Sequence, residues 1–315
     1  MSRWPQSPET SMAKMVDDLR KHSALGERTI TFYAETTQAV LRIMEAEGLH
    51  TMPREITADD VWALLDAMAA RRLAVATRKG YISALKKFCS HFGNDTLNTI
   101  DIRWPQDRRP KVDWLTPEET RILLECEKTP LQELVVHLEL CMGMRRVEVV
   151  RLRMEDIHDD GTDPYITAIG KGIQGGKLRS IPFARDTRKV LTRFLRHRDE
   201  QIATARARFP ASTTIPANVV LWLKAGRLIK AGRLNAYSEE GWGLDKVVVD
   251  PLRRSTGISF SNHTLRRTFG RTLWRAGISL DTISMLMGHE STEQTRRYIG
   301  VDMDSMQAAM AMSPL

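Results

Sequence analysis

Residues 143–157, GMRRVEVVRLRMEDI, carry the most informative pattern in this chain of 315 residues. They follow an apolar series at helical spacing, which predicts a buried helix that ends near Gly143. Arg145 and Arg146 come directly after this helix, and Glu148 follows them. Because a hydrophobic core does not require charged residues there, the segment predicts a chemical site at the end of a buried helix. The apolar series consists of Leu131, Leu134, Val135, Leu138 and Met142.

Three further segments gather polar residues that a core pattern does not require. The first is a glycine-rich turn that begins at Lys171. The second is His263-Thr264-Leu265-Arg266. The third runs from Leu286 to Tyr298, and Tyr298 lies nine positions after His289. We therefore look for one site that is assembled from four separate segments.

The pattern around these segments predicts a mainly α fold with a small antiparallel β-sheet. Two short strands are predicted at Tyr165–Gly170 and Leu178–Phe183, joined by the glycine-rich turn. Helical patterns follow around residues 184–208 and again from Asn262 onward. The stretch GWGLDK at 241–246 predicts a turn.

The length of the chain allows two domains, and the sequence indicates where they divide. Residues 10–103 contain several amphipathic helical patterns, which predict a helical domain. Residues 104–113 are mostly polar and include two prolines, which is typical of a linker. A second domain is predicted over residues 114–315, and it opens with the helix-capping pattern Thr116-Pro117-Glu118-Glu119.

The composition excludes several classes of protein. Hydrophobic residues make up 42% of the chain and charged residues 27%, which excludes wholesale disorder. Cys89, Cys126 and Cys141 form no CxxC pair, which excludes a disulfide framework and a cysteine zinc site and indicates a reducing compartment. The sequence shows no membrane-spanning stretch, metal-ligand cluster or Walker-type loop. We therefore expect a cytoplasmic, nucleoid-associated protein that needs no metal or cofactor.

The net charge of +8 arises from 47 basic and 39 acidic side chains, and the excess is clustered. Clusters without acidic residues are typical of a nucleic-acid surface, since each neutralised phosphate releases counterions. An ordinary solvated helix face is the alternative for any single cluster. One such cluster spans residues 263–275. The predicted DNA-contacting residues are Arg71, Arg72, Arg78, Lys79, Lys86, Lys87, Lys224, Arg227, Lys230 and Arg233.

Three of the polar segments resemble the sequence boxes of the tyrosine recombinases, of the phage-integrase and Xer type. Residues 143–157 resemble the family's first arginine box, a G-[LM]-R with a Glu three positions after the arginine. HTLRRTF at 263–269 resembles the H-x-x-R box, and LMGHESTEQTRRYIG at 286–300 resembles the L-G-H…Y box. The resemblance covers residues 114–300, and a weaker one relates the N-terminal part to the family's SAM-like core-binding domain. It implies such a domain joined to a tyrosine-recombinase catalytic domain.

Elementary chemistry agrees with the principal roles that the resemblance implies. The guanidinium groups of Arg145 and Arg266 are forked and always protonated, so they can hold the non-bridging oxygens of a phosphodiester. Tyr298 is the implied nucleophile, and a phenol with an ordinary pKa of about 10 needs a base or a positive field. Neighbouring helical positions diverge by about 100°, so we expect Arg146 and Arg267 to point to another face.

The resemblance also implies the remaining site residues. Lys171 is expected to protonate the leaving 5′-oxygen, and Lys177, across the turn, is the alternative. His263 and His289 are expected to act as hydrogen-bonding and proton-transfer partners of the phosphate site. Glu148 is expected to orient one of the basic groups.

The implied activity is site-specific recombination of double-stranded DNA through a 3′-phosphotyrosyl intermediate, without metal. By the same resemblance, the tail Met303–Met312 is expected to dock onto a neighbouring protomer of a homo-tetramer on synapsed sites. Packing of this tail within its own chain is the alternative. Three other functions stay open at this point: a type IB topoisomerase, a non-catalytic DNA-binding module of the same fold, and a general nucleic-acid-binding regulator.

Overall fold

The computed structural model describes residues 7–105, 113–170, 178–208, 215–222, 235–236 and 241–301. These residues belong to two compact units, an N-terminal unit within 7–105 and a C-terminal unit within 113–301. The described residues are mostly helical, with a small antiparallel sheet, which confirms the predicted fold class. Within these ranges, no helix combines the length and the apolar character that a membrane span requires.

The N-terminal unit is a helical bundle. Its third helix begins at a capping box, in which Asp60 N–H donates to Thr57 Oγ1 at 3.2 Å and Thr57 N–H donates to the Asp60 carboxylate at 2.7 Å. The core contains fully buried apolar side chains, among them Met15, Val40, Leu64, Leu85 and Phe88. The helices are α1 (Pro8–His22), α2 (Glu27–Ala46), α3 (Ala58–Ala70), α4 (Val75–His91) and α5 (Thr96–Thr99).

The C-terminal unit combines helices with two small sheets. The largest core includes Leu123, Leu134, Val149, Ile166 and Leu265. A smaller cluster, with Phe269, Ile283, Met287 and Ile299, joins the last three helices. The helices are α6 (Pro117–Glu125), α7 (Pro130–Val136), α8 (Arg146–Arg151), α9 (Thr187–Arg208), α10 (Trp242–Val247), α11 (Val249–Thr256), α12 (Asn262–Arg275), α13 (Leu280–Met287) and α14 (Thr292–Ile299).

The sheet has the order β1-β2-β3, and each neighbouring pair is antiparallel. Both predicted strands are present, and Ile169 lies opposite Leu178 at the end where the predicted turn joins them. A second, two-stranded sheet pairs β4 with β5. The strands are β1 (Ile157–His158), β2 (Tyr165–Ile169), β3 (Leu178–Pro182), β4 (Leu221–Trp222) and β5 (Asn235–Ala236).

One local prediction is confirmed with a change in helix type, and another is wrong. The helix predicted before Gly143 changes its winding, because α7 continues into a π-helical turn at His137–Cys141. Such turns widen a helix locally and are frequent at functional sites. The turn predicted at 241–246 is wrong, since α10 begins directly after Gly241 and buries Leu244 completely. Burial of a single leucine on a short helix leaves little periodic signal in the sequence.

Candidate active site

Arg145 lies at the N-cap of α8, directly after a tight turn at Gly143. The φ angle of Gly143 is +64°, and a Cβ atom there would lie 2.3 Å from the Phe269 ring. Only glycine permits both this backbone conformation and this close approach. The turn brings the Arg145 N–H within 2.6 Å of Glu148 Oε2, and Arg145 Nη1 donates to Oε1 at 2.8 Å.

Glu148 is fully buried and gathers a second guanidinium group. Arg179 donates to it twice, from Nη1 to Oε1 at 2.5 Å and from Nη2 to Oε2 at 3.0 Å. Arg266 Nη1 lies 4.0 Å from Oε2. Burial raises the pKa of Glu148, but Arg179, Arg145 and Arg266 outweigh burial and hold this pKa below its usual value. One negative charge is therefore surrounded by three positive charges.

Arg179 belongs to none of the four polar segments in the sequence. It lies in β3, where side chains alternate between two faces, and it shares a face with the buried Ile181. An arginine on the buried face of a strand needs anionic or carbonyl partners, because burial of an unpaired charge is costly. This alternation is the signal in the sequence that identifies Arg179 as a site residue.

The C-terminal end of α13 holds all three arginines in place. A helix leaves its last carbonyl groups without partners inside the helix, and this end carries a partial negative charge. The carbonyl oxygens at positions 286, 287 and 288 each accept a hydrogen bond from a different arginine. The donors, in that order, are Arg179 at 3.0 Å, Arg266, and Arg145 at 2.9 Å. The end of α13 thus gathers guanidinium groups from α12, β3 and the start of α8.

Gly288 is the residue that lets the end of α13 come so close to these side chains. Its φ angle is +58°, and a Cβ atom there would lie 2.9 Å from Arg179 Cδ and 3.5 Å from Arg145 Nη1. A larger residue would therefore combine an unfavourable backbone conformation with displacement of Arg179. The glycine of the L-G-H segment is thus explained by geometry.

Arg266 is the most deeply buried of the three arginines, with 2% of its side chain exposed. It donates from Nη1 to the Gly143 carbonyl. Burial lowers its pKa to about 9, and the charges of Arg145 and Arg179 act in the same direction, whereas Glu148 acts against them. The Arg266 guanidinium therefore remains positively charged at neutral pH.

The helix α14 presents Tyr298 to this cluster. The Tyr298 hydroxyl lies 3.3 Å from His263 Nδ1 and 3.4 Å from the His263 carbonyl oxygen. Burial raises the pKa of Tyr298, while Arg266, Arg267 and Arg145 act in the opposite direction. The phenol is therefore protonated at neutral pH, with an imidazole nitrogen close enough to accept its proton.

His289 packs against the same tyrosine. The His289 and Tyr298 rings meet edge to face, with centroids 5.1 Å apart, and His289 Nδ1 lies 2.8 Å from Thr295 Oγ1. Burial, followed by the nearby charge of Arg266, lowers the pKa of His289 to about 3. Its imidazole is therefore neutral at physiological pH.

The expectation that Arg267 points away from the site is wrong. Its guanidinium carbon lies 5.1 Å from the centroid of the Tyr298 ring, within the range of a cation–π contact. Packing of α14 against α12 brings the Tyr298 ring over Arg267, the neighbour of Arg266 on α12. Arg146 makes a different contact, an ion pair with Asp245 at 2.5 Å.

Comparison with known families agrees with this geometry. The model of the phage integrase family matches residues 113–305. This chain belongs to the phage integrase family. The match covers all three sequence boxes and confirms the resemblance to the tyrosine recombinases.

Curated relatives of this phage integrase family member are tyrosine recombinases. XerC of Roseiflexus castenholzii is 26% identical over an alignment of 315 positions, which covers 93% of this chain and 91% of the relative. XerA of Pyrococcus furiosus is 26% identical over 263 residues, which cover 82% of each chain. These alignments extend through both units of this chain.

Solved structures of integrases and recombinases share the fold of this family member. A post-cleavage complex of the XerH site-specific recombinase with a palindromic difH substrate covers 98% of this chain and 85% of its own, with a TM-score of 0.65 and 18% identity. A lambda integrase dimer bound to a COC′ core site covers 92% of this chain and 94% of its own, with a TM-score of 0.62 and 18% identity.

In this integrase-family chain, the predicted DNA-contacting residues of the N-terminal unit lie at the end of α3 and along α4. Arg71 forms an ion pair with Glu47 at 2.8 Å. Lys79 and Lys86 are exposed and lie seven residues apart, so they point to the same side of α4. Lys79 Nζ also lies 5.9 Å from the centroid of the Trp104 ring. The other predicted residues here are Arg72, Arg78 and Lys87.

Several predicted residues of this family member lie outside the described ranges. The described His, Cys, Asp and Glu side chains form no group of three that could hold a metal ion. Of the predicted site residues that lie within the described ranges, the structure brings together Arg145, Glu148, His263, Arg266, His289 and Tyr298. The residues outside the described ranges are Lys171, Lys177, Lys224, Arg227, Lys230, Arg233 and the tail Met303–Met312.

Proposed function

We propose that this chain is a site-specific DNA recombinase that cleaves and rejoins strands through a 3′-phosphotyrosyl link at Tyr298. The observation that carries the proposal is the position of the Tyr298 hydroxyl, 3.3 Å from His263 Nδ1 and beside a cluster of guanidinium groups. A phenol in this environment combines a nearby base with a field that stabilises its anion. Membership of the phage integrase family supports the same reaction.

The arginine cluster is suited to bind one phosphodiester. Within the described residues, Arg145 donates to Glu148 and the Gly288 carbonyl, and Arg266 donates to the Gly143 and Met287 carbonyls. A guanidinium has five N–H groups, so each arginine keeps donors for phosphate oxygens. Glu148 compensates one of the three positive charges that surround it, so the cluster keeps an excess of positive charge. This excess would stabilise the charge that develops on the non-bridging oxygens during attack.

The proposed cleavage step exchanges one phosphodiester for another. The Tyr298 oxygen attacks phosphorus as its proton passes to His263, and the bond from phosphorus to the 5′-oxygen breaks as that oxygen takes a proton from a lysine acting as general acid. The products are a 3′-phosphotyrosyl link and a free 5′-hydroxyl, and a 5′-hydroxyl from a partner duplex reverses the step. Neutral His289 would donate a hydrogen bond to the phosphate from Nε2, in the tautomer whose Nδ1 accepts from the Thr295 hydroxyl.

Double-stranded DNA is the proposed partner. The structurally similar XerH recombinase is likewise bound to its palindromic difH substrate. The basic residues of α4 and the cluster at 224–233 would hold the duplex backbone through charge. Exchange between two duplexes needs several active sites at once, so we extend the proposal to a homo-tetramer on synapsed sites, joined through the tail 303–312. A monomer that relaxes supercoiled DNA without joining two sites would instead indicate a type IB topoisomerase.

The decisive experiment traps the covalent intermediate. Wild-type protein, incubated with a nicked suicide substrate that carries its cognate site, should form a denaturant-resistant protein–DNA adduct. Tyr298→Phe should form none, because phenylalanine has no nucleophilic oxygen. Tyr165→Phe is the matched control, since it removes a hydroxyl in β2 and should leave the adduct intact. No adduct from wild-type protein, or an adduct from Tyr298→Phe, would refute the proposed nucleophile.

A modified leaving group identifies the general acid. We propose that Lys171 protonates the 5′-oxygen, with Lys177 as the alternative. A 5′-thio leaving group departs without a proton, so it should restore cleavage to the variant that lacks the true acid. Lys171→Ala should therefore cleave the oxygen substrate poorly and the sulfur substrate well. Rescue of Lys177→Ala instead would assign the acid to Lys177.

A further inference from the structure

The first residues of the C-terminal unit, Trp114 and Leu115, pack against α12 near the C-terminal end of α14, the helix that carries Tyr298. Leu115 N–H donates to Thr268 Oγ1 at 2.9 Å. The guanidinium carbon of Arg271 lies 3.6 Å from the centroid of the Trp114 ring, which is the distance of a close cation–π stack. Arg271 is buried, with 4% of its side chain exposed. The half-buried indole therefore covers a buried guanidinium.

Both members of this stack contact the chain directly after Tyr298. Arg271 Nη1 donates to the Ile299 carbonyl at 3.1 Å. Gly300 ends α14 with a φ angle of +72°, and a Cβ atom there would lie 2.9 Å from Trp114 Cζ3. The indole is thus packed flush against the last turn of the helix that carries the tyrosine.

The opposite end of α14 is anchored by different contacts. The Ser291 side chain caps its first turn, and the Thr295 hydroxyl lies 2.6 Å from that of Ser284. The helix α14 has only eight residues, so these contacts at its start and those of Trp114 and Arg271 at its end hold most of its length. Isolated helices of this length do not hold their shape in water, so external contacts must fix where each end lies.

We propose that Trp114 and Arg271 are positioning residues that set the location of the Tyr298 hydroxyl relative to the arginine cluster. This inference rests on the proposed function, in which Tyr298 is the nucleophile. Neither residue touches the reacting atoms: Arg271 acts through the Ile299 carbonyl, and Trp114 acts by covering Arg271 and Gly300. A misplacement of about 1 Å at a reacting atom can reduce a rate about 100-fold.

The test separates chemistry from DNA binding. Trp114→Ala and Arg271→Met should each lower the single-turnover rate constant of adduct formation by roughly 10- to 100-fold at saturating nicked DNA. The Kd for DNA should stay within about twofold of wild type, because the arginine cluster is unchanged. Trp114→Phe keeps an aromatic face over the guanidinium and should recover most of the rate.

A stability-matched control shows whether the loss is merely structural. Leu123→Ala removes a fully buried side chain in α6 and should lower Tm while the rate constant, measured well below Tm, stays near that of wild type. The inference fails if Trp114→Ala cleaves at the wild-type rate, if Trp114→Phe is as slow as Trp114→Ala, or if Leu123→Ala shows the same loss. These results leave the proposed function intact, whereas a wild-type protein without any adduct refutes both proposals.

Discussion

The pKa values of two fully buried glutamates of the C-terminal unit are shifted in opposite directions. Glu148 accepts hydrogen bonds from two guanidinium groups, and its pKa is lowered despite burial. Glu139, in the π-helical turn, has no hydrogen-bond partner for either carboxyl oxygen within the described residues. Burial and the charge of Asp245 raise the pKa of Glu139 well above its usual value, although Arg146 acts against them. Arginine donors, more than depth of burial, therefore decide the direction in which each pKa is shifted.

Glu139→Gln should make the stability of the protein less dependent on pH. Below about pH 4.5, the usual pKa of this side chain, the folded and unfolded chains both carry the proton. Above it, only the unfolded chain releases the proton, so this group lowers the free energy of unfolding by up to about 1.4 kcal/mol per pH unit. That loss continues until the raised pKa of the folded state is reached. Urea unfolding between about pH 5 and 8 should show that the free energy of unfolding of Glu139→Gln increases relative to that of wild type as pH rises.

Glu139→Leu provides the control for this effect. It also removes the ionisable group, but it does not bury an amide, so its absolute stability will differ from that of Glu139→Gln. Both variants should nevertheless show the same trend relative to wild type. Stability curves of wild type and variants that run parallel across this pH range would contradict a raised pKa of Glu139 in the folded protein.

At the scale of elements, those with signals inside one or two turns could be predicted from the sequence. The capping box at the start of α6 is an example, because Thr116 N–H donates to Glu119 Oε2 at 2.7 Å and Glu119 N–H donates back to Thr116 Oγ1 at 3.1 Å. The two strands β2 and β3 could likewise be predicted, from their apolar alternation and from the glycine-rich turn between them. Both signals depend on neighbours in the chain.

Contacts between elements could not be predicted in the same way. The three carbonyls at the end of α13 meet Arg145, Arg179 and Arg266 only after α13 has packed against β3 and α12. Packing of α14 against α12 likewise places Arg267 over the Tyr298 ring, although helical angles alone direct it elsewhere. The sequence boxes therefore predicted most of the residues that gather but not Arg179 or Arg267, and the partners that orient them depend on tertiary structure.

At the scale of the whole molecule, the net charge of +8 combines cations with two different roles. Arg145, Arg179 and Arg266 are held by a carboxylate and by backbone carbonyls, so protein groups already satisfy part of their charge. Lys79 and Lys86 are exposed on one side of α4, and neither has an ion pair within the described part of the chain. Lysines of the second kind are free to exchange counterions for phosphates.

Replacing Lys79 and Lys86 together by glutamine should weaken DNA binding and reduce its dependence on salt. Each phosphate contact contributes about −0.9 to the slope of log Kobs against log salt concentration for duplex DNA. If both lysines contact phosphates, the slope should become shallower by about 1.8. Affinity should fall to a similar extent on cognate and unrelated duplexes, because phosphate contacts do not read the base sequence. Fluorescence anisotropy titrations at several salt concentrations measure both quantities.

The matched control replaces Lys14 and Lys21 of the same unit by glutamine. It removes the same net charge, but these lysines form ion pairs with aspartates of α1, at 3.1 Å and 2.6 Å. Long-range charge alone would affect the two double variants alike, whereas direct phosphate contacts change the slope only for the α4 pair. Equal slopes for both double variants would therefore exclude α4 as a DNA-contacting surface and leave the basic residues of the C-terminal unit to hold the duplex.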